Sequence, residues 1–163
     1  MNEQLTRLVD RRAIVDLTID YCRALDLLDW ELLGRCFTDD AVLDVGPWGI
    51  HAGRDAIIAL CSPLFPGMDC TQHLVGNHVI EITQDEASGT CYLVAEHLLR
   101  TPDAGGDQTT TRGIYRDRFV RTPAGWRIRE RRLEITWREG NTSIFDQAFA
   151  RVAAGLGRPS ATS

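Results

Sequence analysis

Aspartate and histidine side chains stand at positions where the surrounding sequence is apolar, and together they are suited to proton transfer. In the stretch 91–99, His97 alternates with apolar residues, so its ring is expected to face the interior. His73 lies on the preceding stretch, where alternation does not choose between His73 and His78 as the inward residue. Asp26 is enclosed by alanine and leucine residues, an unusual setting for a carboxylate unless it meets a partner.

Each of these residues also has a simpler interpretation. A single inward histidine is most often a buried neutral imidazole bonded to a carbonyl or a carboxylate, but two inward histidines and a carboxylate favour a site. Tyr21 lies on the buried stripe of the first predicted helix, where an aromatic ring is usually core, yet its hydroxyl needs a partner that a cavity would provide. His51 lies in a glycine-bounded turn and is predicted to be an exposed loop residue.

A metal site is a weaker interpretation of the same residues. His73 and His97 with Asp26 would make two histidine ligands and one carboxylate. However, the H-x-x-x-H and H-x-D spacings are absent, and each ligand would come from a different element. We therefore expect no metal.

Helical signals dominate the first part of the chain. Apolar residues recur at spacings of three and four from Thr6 to Leu28, which predicts an amphipathic helix. Asp29 can cap a second short helix over Trp30–Cys36, so the two helices meet near Asp26. After a short strand at 41–45, a third short helix is predicted from Arg54 to about Leu60.

Long strand-like stretches follow, and they make this an α+β chain. Their predicted ranges are 71–83, 88–100, 108–121 and 125–137. The connections, which include Thr101–Asp107, are short, so we expect an antiparallel meander. Strands of this length cannot form a flat sheet. The predicted fold is a cone, in which the amino-terminal helices close a strongly curved antiparallel sheet around an apolar pocket.

The length of 163 residues fits one domain, which we assign to residues 1–140. Residues 141–163 are predicted to cap the pocket or a subunit interface, with a mobile end. This assignment depends on apolar residues at helical spacing: Ile144, Phe145, Ala148, Phe149 and Val152.

Composition excludes several functional classes. The net charge is -5 with a pI near 5.3, and the arginines of 127–132 are interleaved with acids, which disfavours nucleic acid as a partner. All 18 basic residues are arginine, so the chain has no lysine for a Schiff base, a Walker A loop or a pyridoxal-phosphate anchor. No apolar run is long enough for a bilayer, which argues against a membrane partner. The amino terminus lacks a secretory pattern, and the five cysteines form no C-x-x-C pair, so we expect reduced thiols and a cytoplasmic location.

Ordered motifs over about 130 residues resemble the SnoaL-like branch of the nuclear transport factor 2-like superfamily. They are R-x-A-I-x-D-L-x-x-x-Y-x-x-x-x-D-x-x-D-W at 12–30, C-F-T-D-D-A-V at 36–42, G-R-D-A-I at 53–57, H-x-x-x-N at 73–77, and G-x-Y-x-D-x-F-V-R with G-W-R-I at 113–128. The resemblance implies the cone fold and a homodimer or homotrimer. The superfamily includes dehydratases, isomerases, cyclases and non-catalytic binding proteins.

The resemblance also implies roles for individual residues. Scytalone dehydratase is similar in an aspartate matching Asp26 and two histidines matching His73 and His97, and bile acid 7α-dehydratase is similar in a tyrosine matching Tyr21. A dehydrochlorinase of the superfamily resembles the chain in its Asp-His pair and in a last-strand arginine that Arg129 or Arg131 matches. It also uses a lysine, which this chain lacks. Residues expected to bind substrate are Trp30, Asn77, Tyr115 and Arg131.

These observations predict a cofactor-independent lyase that acts on a small hydrophobic, cyclic or aromatic molecule. His73 would be the base, Asp26 would orient it, and His97 or Tyr21 would hold a carbonyl oxygen or protonate the leaving group. Two alternatives remain open at this point: an isomerase or cyclase that uses the same dyad, and a non-catalytic carrier or partner subunit. An exposed side of the last strand, through Leu133, Ile135 and Trp137, is the predicted contact between subunits.

Overall fold

Helices come first along the chain and strands later, as the sequence predicts. The computed structural model describes residues 3–100 and 106–159. Its helices are α1 (Glu3–Leu27), α2 (Trp30–Cys36), α3 (Arg54–Cys61) and α4 (Ile144–Ala153), and short 3₁₀ helices cover Gly46–Trp48 and Phe65–Gly67. Its strands are β1 (Phe37–Asp44), β2 (Ile50–Ala52), β3 (Cys70–Thr83), β4 (Glu86–Leu98), β5 (Gln108–Thr122) and β6 (Gly125–Gly140).

A single sheet contains all six of these strands, in the order β2-β1-β6-β5-β4-β3. The predicted meander of long antiparallel strands is confirmed as β3 to β6. The sheet is mixed rather than wholly antiparallel, because β1 pairs in parallel with β6. About half of the chain separates these two strands, so no tight hairpin fixes their relative direction. His51 lies in β2, half-buried, rather than in an exposed loop.

Bulges curve the sheet and change which residues face inward. In β3 the pairing shifts between Gly76 and Val79, and Asn77 has a φ of 54°. His73 faces inward before this bulge, and His78 faces α1 after it, where its Nε2 lies 2.8 Å from Thr18 Oγ1. Alternation alone could not choose between the two histidines because each points inward on its own side of the bulge.

A second bulge corrects the predicted subunit contact on β6. The β5–β6 pairing shifts between Arg112 and Gly113, which leaves Thr136 as the extra residue. Leu133 consequently faces the interior and is 8% exposed, whereas Trp137 is 55% exposed. The predicted contact surface is therefore wrong for Leu133, although Trp137 does face outward.

The end of α1 fixes the position of Asp26. Leu28 has a φ of 57°, Asp29 N donates to Ala24 O at 2.9 Å, and Leu28 N donates to Leu25 O at 3.3 Å. This pattern ends a helix with one left-handed residue and turns the chain sharply. Asp29 then caps α2 as predicted, because its side chain accepts from Leu32 N at 2.8 Å. Asp26 is thereby held in the last turn of α1, beside β3.

Helix α4 packs on the 3₁₀ helix Phe65–Gly67. A Cβ on Gly67 would lie 2.1 Å from the carbonyl oxygen of Ala148, so only glycine permits this approach. The side chain of Arg151 donates to Asp69 at 2.6 Å and so ties the helix to the residues before β3. Parts of the predicted connection Thr101–Asp107, and the predicted mobile end of the tail, lie outside the described residues. Among the described helices, none has the length and apolar character that a bilayer span requires.

Candidate active site

Helices α1, α3 and α4 and the concave face of the sheet enclose a cavity of about 70 Å³. This volume is smaller than the roughly 150 Å³ that accommodates a benzene ring in a protein core, so a ring-bearing ligand requires wall side chains to move. The walls are mostly apolar and aromatic. The polar side chains among them are Tyr21, His73, His97, Thr111 and Tyr115.

Asp26 and His73 are in direct contact at this cavity. The Nδ1 atom of His73 lies 2.7 Å from Asp26 Oδ1, and the backbone N–H of His73 donates to Asp26 Oδ2 at 2.9 Å. Thr71 Oγ1 donates to Asp26 Oδ1 at 3.0 Å. A carboxylate can only accept, so Nδ1 carries the hydrogen and Nε2 is the ring nitrogen with a free lone pair.

His97 is held beside this pair as a neutral ring. Its centroid lies 5.3 Å from that of His73 with the rings nearly perpendicular, and Phe65 and Phe145 contact it on other sides. Burial lowers the pKa of His97 to about 3, and the neighbouring His73 and Arg138 act in the same direction. His97 is therefore not a cationic acid at neutral pH, but its ring can still exchange hydrogen bonds with a ligand.

Tyr21 and Tyr115 form the deeper wall with their rings edge-on, 5.8 Å apart. Burial raises the pKa of both hydroxyls, so both remain protonated at neutral pH. The guanidinium of Arg131 stacks on both rings, 4.3 Å from Tyr21 and 4.1 Å from Tyr115. It also makes a bidentate bond to Asp117, at 2.9 and 2.7 Å. Arg131 thus packs against both tyrosine rings. It is not among the residues that line the cavity.

Two further residues predicted to bind substrate lie away from the cavity. Trp30 is the first residue of α2, is half-buried and packs against the core. Asn77 is exposed, because the β3 bulge turns it out of the concave face. The structure brings together Asp26, His73, His97, Tyr21 and Tyr115 from the predicted set, and it leaves Trp30, Asn77 and Arg131 outside.

Sequence reasoning missed several side chains of the site. Thr71 could have been found, because it shares the parity of His73 two residues away and must face Asp26 with it. Trp48 and Phe145, whose rings lie 5.0 Å apart, form the outer wall, and no local pattern indicated that they meet. Thr111 and Asp117 belong to the inward set of β5, which only the register reveals.

No group of three or more histidine, cysteine, aspartate or glutamate side chains suited to hold a metal occurs among the described residues. All five cysteines are free thiols, and four of them are buried. Burial raises the pKa of Cys61, which lines the cavity, to about 12, so it is not a reactive thiolate at neutral pH.

Solved structures with the same fold are numerous. The Kfla4162 protein of Kribbella flavida superposes with a TM-score of 0.77 at 26% identity, over 89% of this chain and 99% of that one. A provisional scytalone dehydratase of Novosphingobium aromaticivorans gives a TM-score of 0.75 at 25% identity, over 85% of this chain and 91% of that one. The dehydrochlorinase LinA-type3 of Novosphingobium barchaimii gives 0.74 at 20% identity, over 86% and 95%, and shows the fold alone.

Sequence comparison gives the family. An uncharacterized protein of Mycobacterium tuberculosis is 33% identical over 123 residues, which are 73% of this chain and 80% of that protein. The family model of the SnoaL-like domain matches residues 6–132. The predicted resemblance is thereby confirmed, and the chain belongs to the SnoaL-like domain family, with the nuclear transport factor 2-like fold.

Proposed function

We propose that this protein is a lyase that removes a proton from carbon in a small hydrophobic substrate and expels a leaving group. The observation that carries the proposal is the 2.7 Å contact between Asp26 and His73 Nδ1 at the wall of an apolar cavity. The contact orients the ring and leaves Nε2 to accept a proton, while the carboxylate stabilises the imidazolium that forms.

The proposed step balances without an external reagent. Nε2 of His73 takes a proton from the carbon beside a carbonyl or aryl group, and the electrons of that C–H bond become the second bond of a new alkene. The bond from the neighbouring carbon to its hydroxyl breaks, and the departing oxygen takes the proton from Nε2 of the His73 imidazolium, which restores the neutral ring. The sum is loss of water, and because no electrons leave the substrate, the step needs no redox cofactor.

Neutral side chains in the cavity wall fit the other half of this step. Tyr21 keeps its hydroxyl proton because burial raises its pKa, and it lines the same cavity as His73. A protonated hydroxyl can donate a hydrogen bond to a carbonyl oxygen while negative charge develops there. Because the hydroxyl is already fixed in place, little free energy is spent on reorienting it during the reaction. His97 is neutral and adjacent to His73, and in this proposal it holds the leaving oxygen.

The comparisons support the coarser part of the proposal, an enzyme that converts a small molecule. The matched family and the structural neighbours, which include a provisional scytalone dehydratase and a dehydrochlorinase, support this coarser statement. Elimination itself, and the dyad that would perform it, rest on the geometry of Asp26 and His73.

The test is a product-mass assay in D₂O. The probes are 3-hydroxycyclohexanone and 3-hydroxy-3-phenylpropanoic acid, each incubated with the wild-type protein and with a His73→Gln variant that keeps a polar side chain but no base. If the protein is a lyase, the wild type converts a probe into a product that is lighter by one water, and the His73→Gln variant does not. Deuterium gained at carbon with no loss of water would mean proton shuttling, as in an isomerase. If neither probe changes more in wild type than in the variant, the proposal fails and a carrier becomes the better account.

A further inference from the structure

The guanidinium of Arg138 stacks on Trp48, a residue of the cavity wall, and one of its bonding edges is unfilled. Its Nε and Nη2 atoms are buried and have no hydrogen-bond partner among the described residues. One face of the group is occupied, because it stacks on the Trp48 ring at 4.2 Å. The adjacent acid, Glu139, is bonded instead to Arg112 at 2.6 Å. Arg138 is therefore a partly buried cation that forms no ion pair with a carboxylate among the described residues.

Strand register directs Arg138 toward the cavity. It lies directly opposite Thr111, and residues paired in this way on antiparallel strands project from the same face. Thr111 lines the cavity, so Arg138 also projects from the concave face. The bulge at Thr136 produces this orientation. Without the extra residue, alternation along β6 would make Arg138 face away from the side that Ile135 faces; with it, both side chains project from the same face.

Arg131 shows what the unfilled edge is suited to bind. In Arg131, the Nε and Nη2 atoms hold the two oxygens of Asp117 at 2.9 and 2.7 Å. These are the same two atoms that have no partner in Arg138. Two parallel N–H groups on one edge of a guanidinium match the two oxygens of a carboxylate. The chain itself thus contains a filled and an unfilled copy of one carboxylate-binding fork.

Two more buried polar atoms lie beside this fork. Thr111 Oγ1 is buried without a hydrogen-bond partner among the described residues. His97 Nδ1 makes no hydrogen bond of normal geometry there, although the backbone of Thr109 acts on the His97 ring. Both residues line the cavity and are 3% and 5% exposed. The charge of Arg138 reaches His97, since it contributes to lowering the pKa of that ring. Buried polar atoms without partners cost stability, and a ligand that supplies the missing bonds removes that cost.

We propose that Arg138, with Thr111 and His97, forms a carboxylate-binding subsite beside the cavity wall at Trp48, so that the substrate is an apolar acid. The apolar body would enter toward His73 and the carboxylate would remain at the fork. The assignment of this ligand as substrate rests on the proposed function, whereas the binding of an acid at Arg138 does not.

The experiment is a calorimetric titration with three acids of increasing reach, benzoate, phenylacetate and 3-phenylpropionate, each compared with its neutral amide. At least one acid should bind wild type about tenfold or more tightly than its amide, as a charge-assisted bidentate bond implies. Arg138→Gln should abolish that preference. The matched control is Arg129→Gln, which removes the same charge from an exposed residue of the same strand and should keep the preference.

The same titration in His73→Gln separates this inference from the proposed function. The acid preference should persist there, because Arg138 and not His73 supplies it. Catalysis could then fail while the subsite stands, or the reverse. Two results would overturn the subsite: no acid binding more tightly than its amide, including the case in which neither binds, or an undiminished preference in Arg138→Gln.

Discussion

Two aspartates of this protein each hold a basic side chain, but the two pairs lie in opposite surroundings. Asp26 binds one nitrogen of His73 and leaves the other available at the cavity wall. Asp117 binds Arg131 through two bonds, and the side chains of this second pair are 1% and 0% exposed under the rings of Tyr21 and Tyr115. The Asp26–His73 pair can exchange a proton with a ligand in the cavity. The Asp117–Arg131 pair, called the sealed pair below, is fully buried and does not line the cavity.

The difference shows that a buried pair of charged or polar groups is not by itself a catalytic site. Arg131 keeps its charge permanently, and its pKa is raised further by Asp117 even though burial opposes this. It therefore acts as a fixed support for the two tyrosines. His73 can change its protonation, so the Asp26–His73 pair is expected to affect turnover and the Asp117–Arg131 pair to affect stability.

Removing the base should have the largest effect. We expect His73→Ala to lower turnover of any substrate identified in the product-mass assay by about 10² to 10⁴, the usual contribution of a positioned general base. The fold should survive, as monitored by circular dichroism. His78→Ala, a change of the same residue type on the same strand, is the control and should keep its activity. Equal losses of turnover in His73→Ala and His78→Ala would contradict a specific catalytic role for the Asp26–His73 pair.

Asp26→Asn should lose a similar factor to His73→Ala, because an amide no longer fixes the tautomer of the ring. The double variant Asp26→Asn/His73→Ala should lose little more than either single one, since residues that act as a unit are not additive. Steady-state kinetics of all three variants is the measurement. Losses that multiply would mean that the two side chains act independently.

The sealed pair should show its effect in stability. Asp117→Asn leaves Arg131 without its counter-charge, so we expect a loss of about 3 to 5 kcal/mol in the free energy of unfolding, measured with urea. Asp85→Asn, which breaks an exposed pair with Arg121, is the control and should lose about 1 kcal/mol or less. Replacing both partners, as Asp117→Leu/Arg131→Met, should recover most of the loss. A small effect of Asp117→Asn would contradict the structural role.

His97 should make the protein sensitive to mild acid. Its folded pKa of about 3 lies below the ordinary 6.5, so between these values the unfolded chain binds a proton that the folded protein does not. The free energy of unfolding therefore falls as the pH drops below about 6.5, by ~2 kcal/mol at pH 5. Urea unfolding at pH 7 and pH 5 should show this loss in wild type and a smaller one in His97→Gln. Identical losses would mean that His97 is not buried as described.

Much of this architecture could be read from the sequence, because it follows from regular patterns. The spacing of apolar residues predicted α1, Asp29 identified the start of α2, and the long alternating stretches predicted β3 to β6. Asp26 was singled out because a carboxylate in an apolar run needs a partner. That partner is His73, as predicted.

The remainder depends on bulges and register, which alternation does not encode. One inserted residue reverses the side of the sheet toward which all later side chains of the strand point. Alternation from His73 therefore predicts that Asn77 faces the site, whereas the bulge in β3 leaves it exposed outside the site. Arg138 was overlooked for the same reason, because it faces inward only after the bulge at Thr136. Gly76 and Asn77, both tolerant of unusual backbone angles, are the one local sign that could have warned of a bulge in β3.

The most direct test of the Asp26–His73 unit is the tautomer of His73, measured by long-range ¹H–¹⁵N correlation on labelled protein at neutral pH. The chain has only four histidines, so single-site variants suffice for assignment. We expect the hydrogen on Nδ1 and an unprotonated Nε2, and we expect Asp26→Asn to remove this preference. A hydrogen on Nε2 in the wild type, with or without one on Nδ1, would contradict the claim that His73 is a base oriented by Asp26.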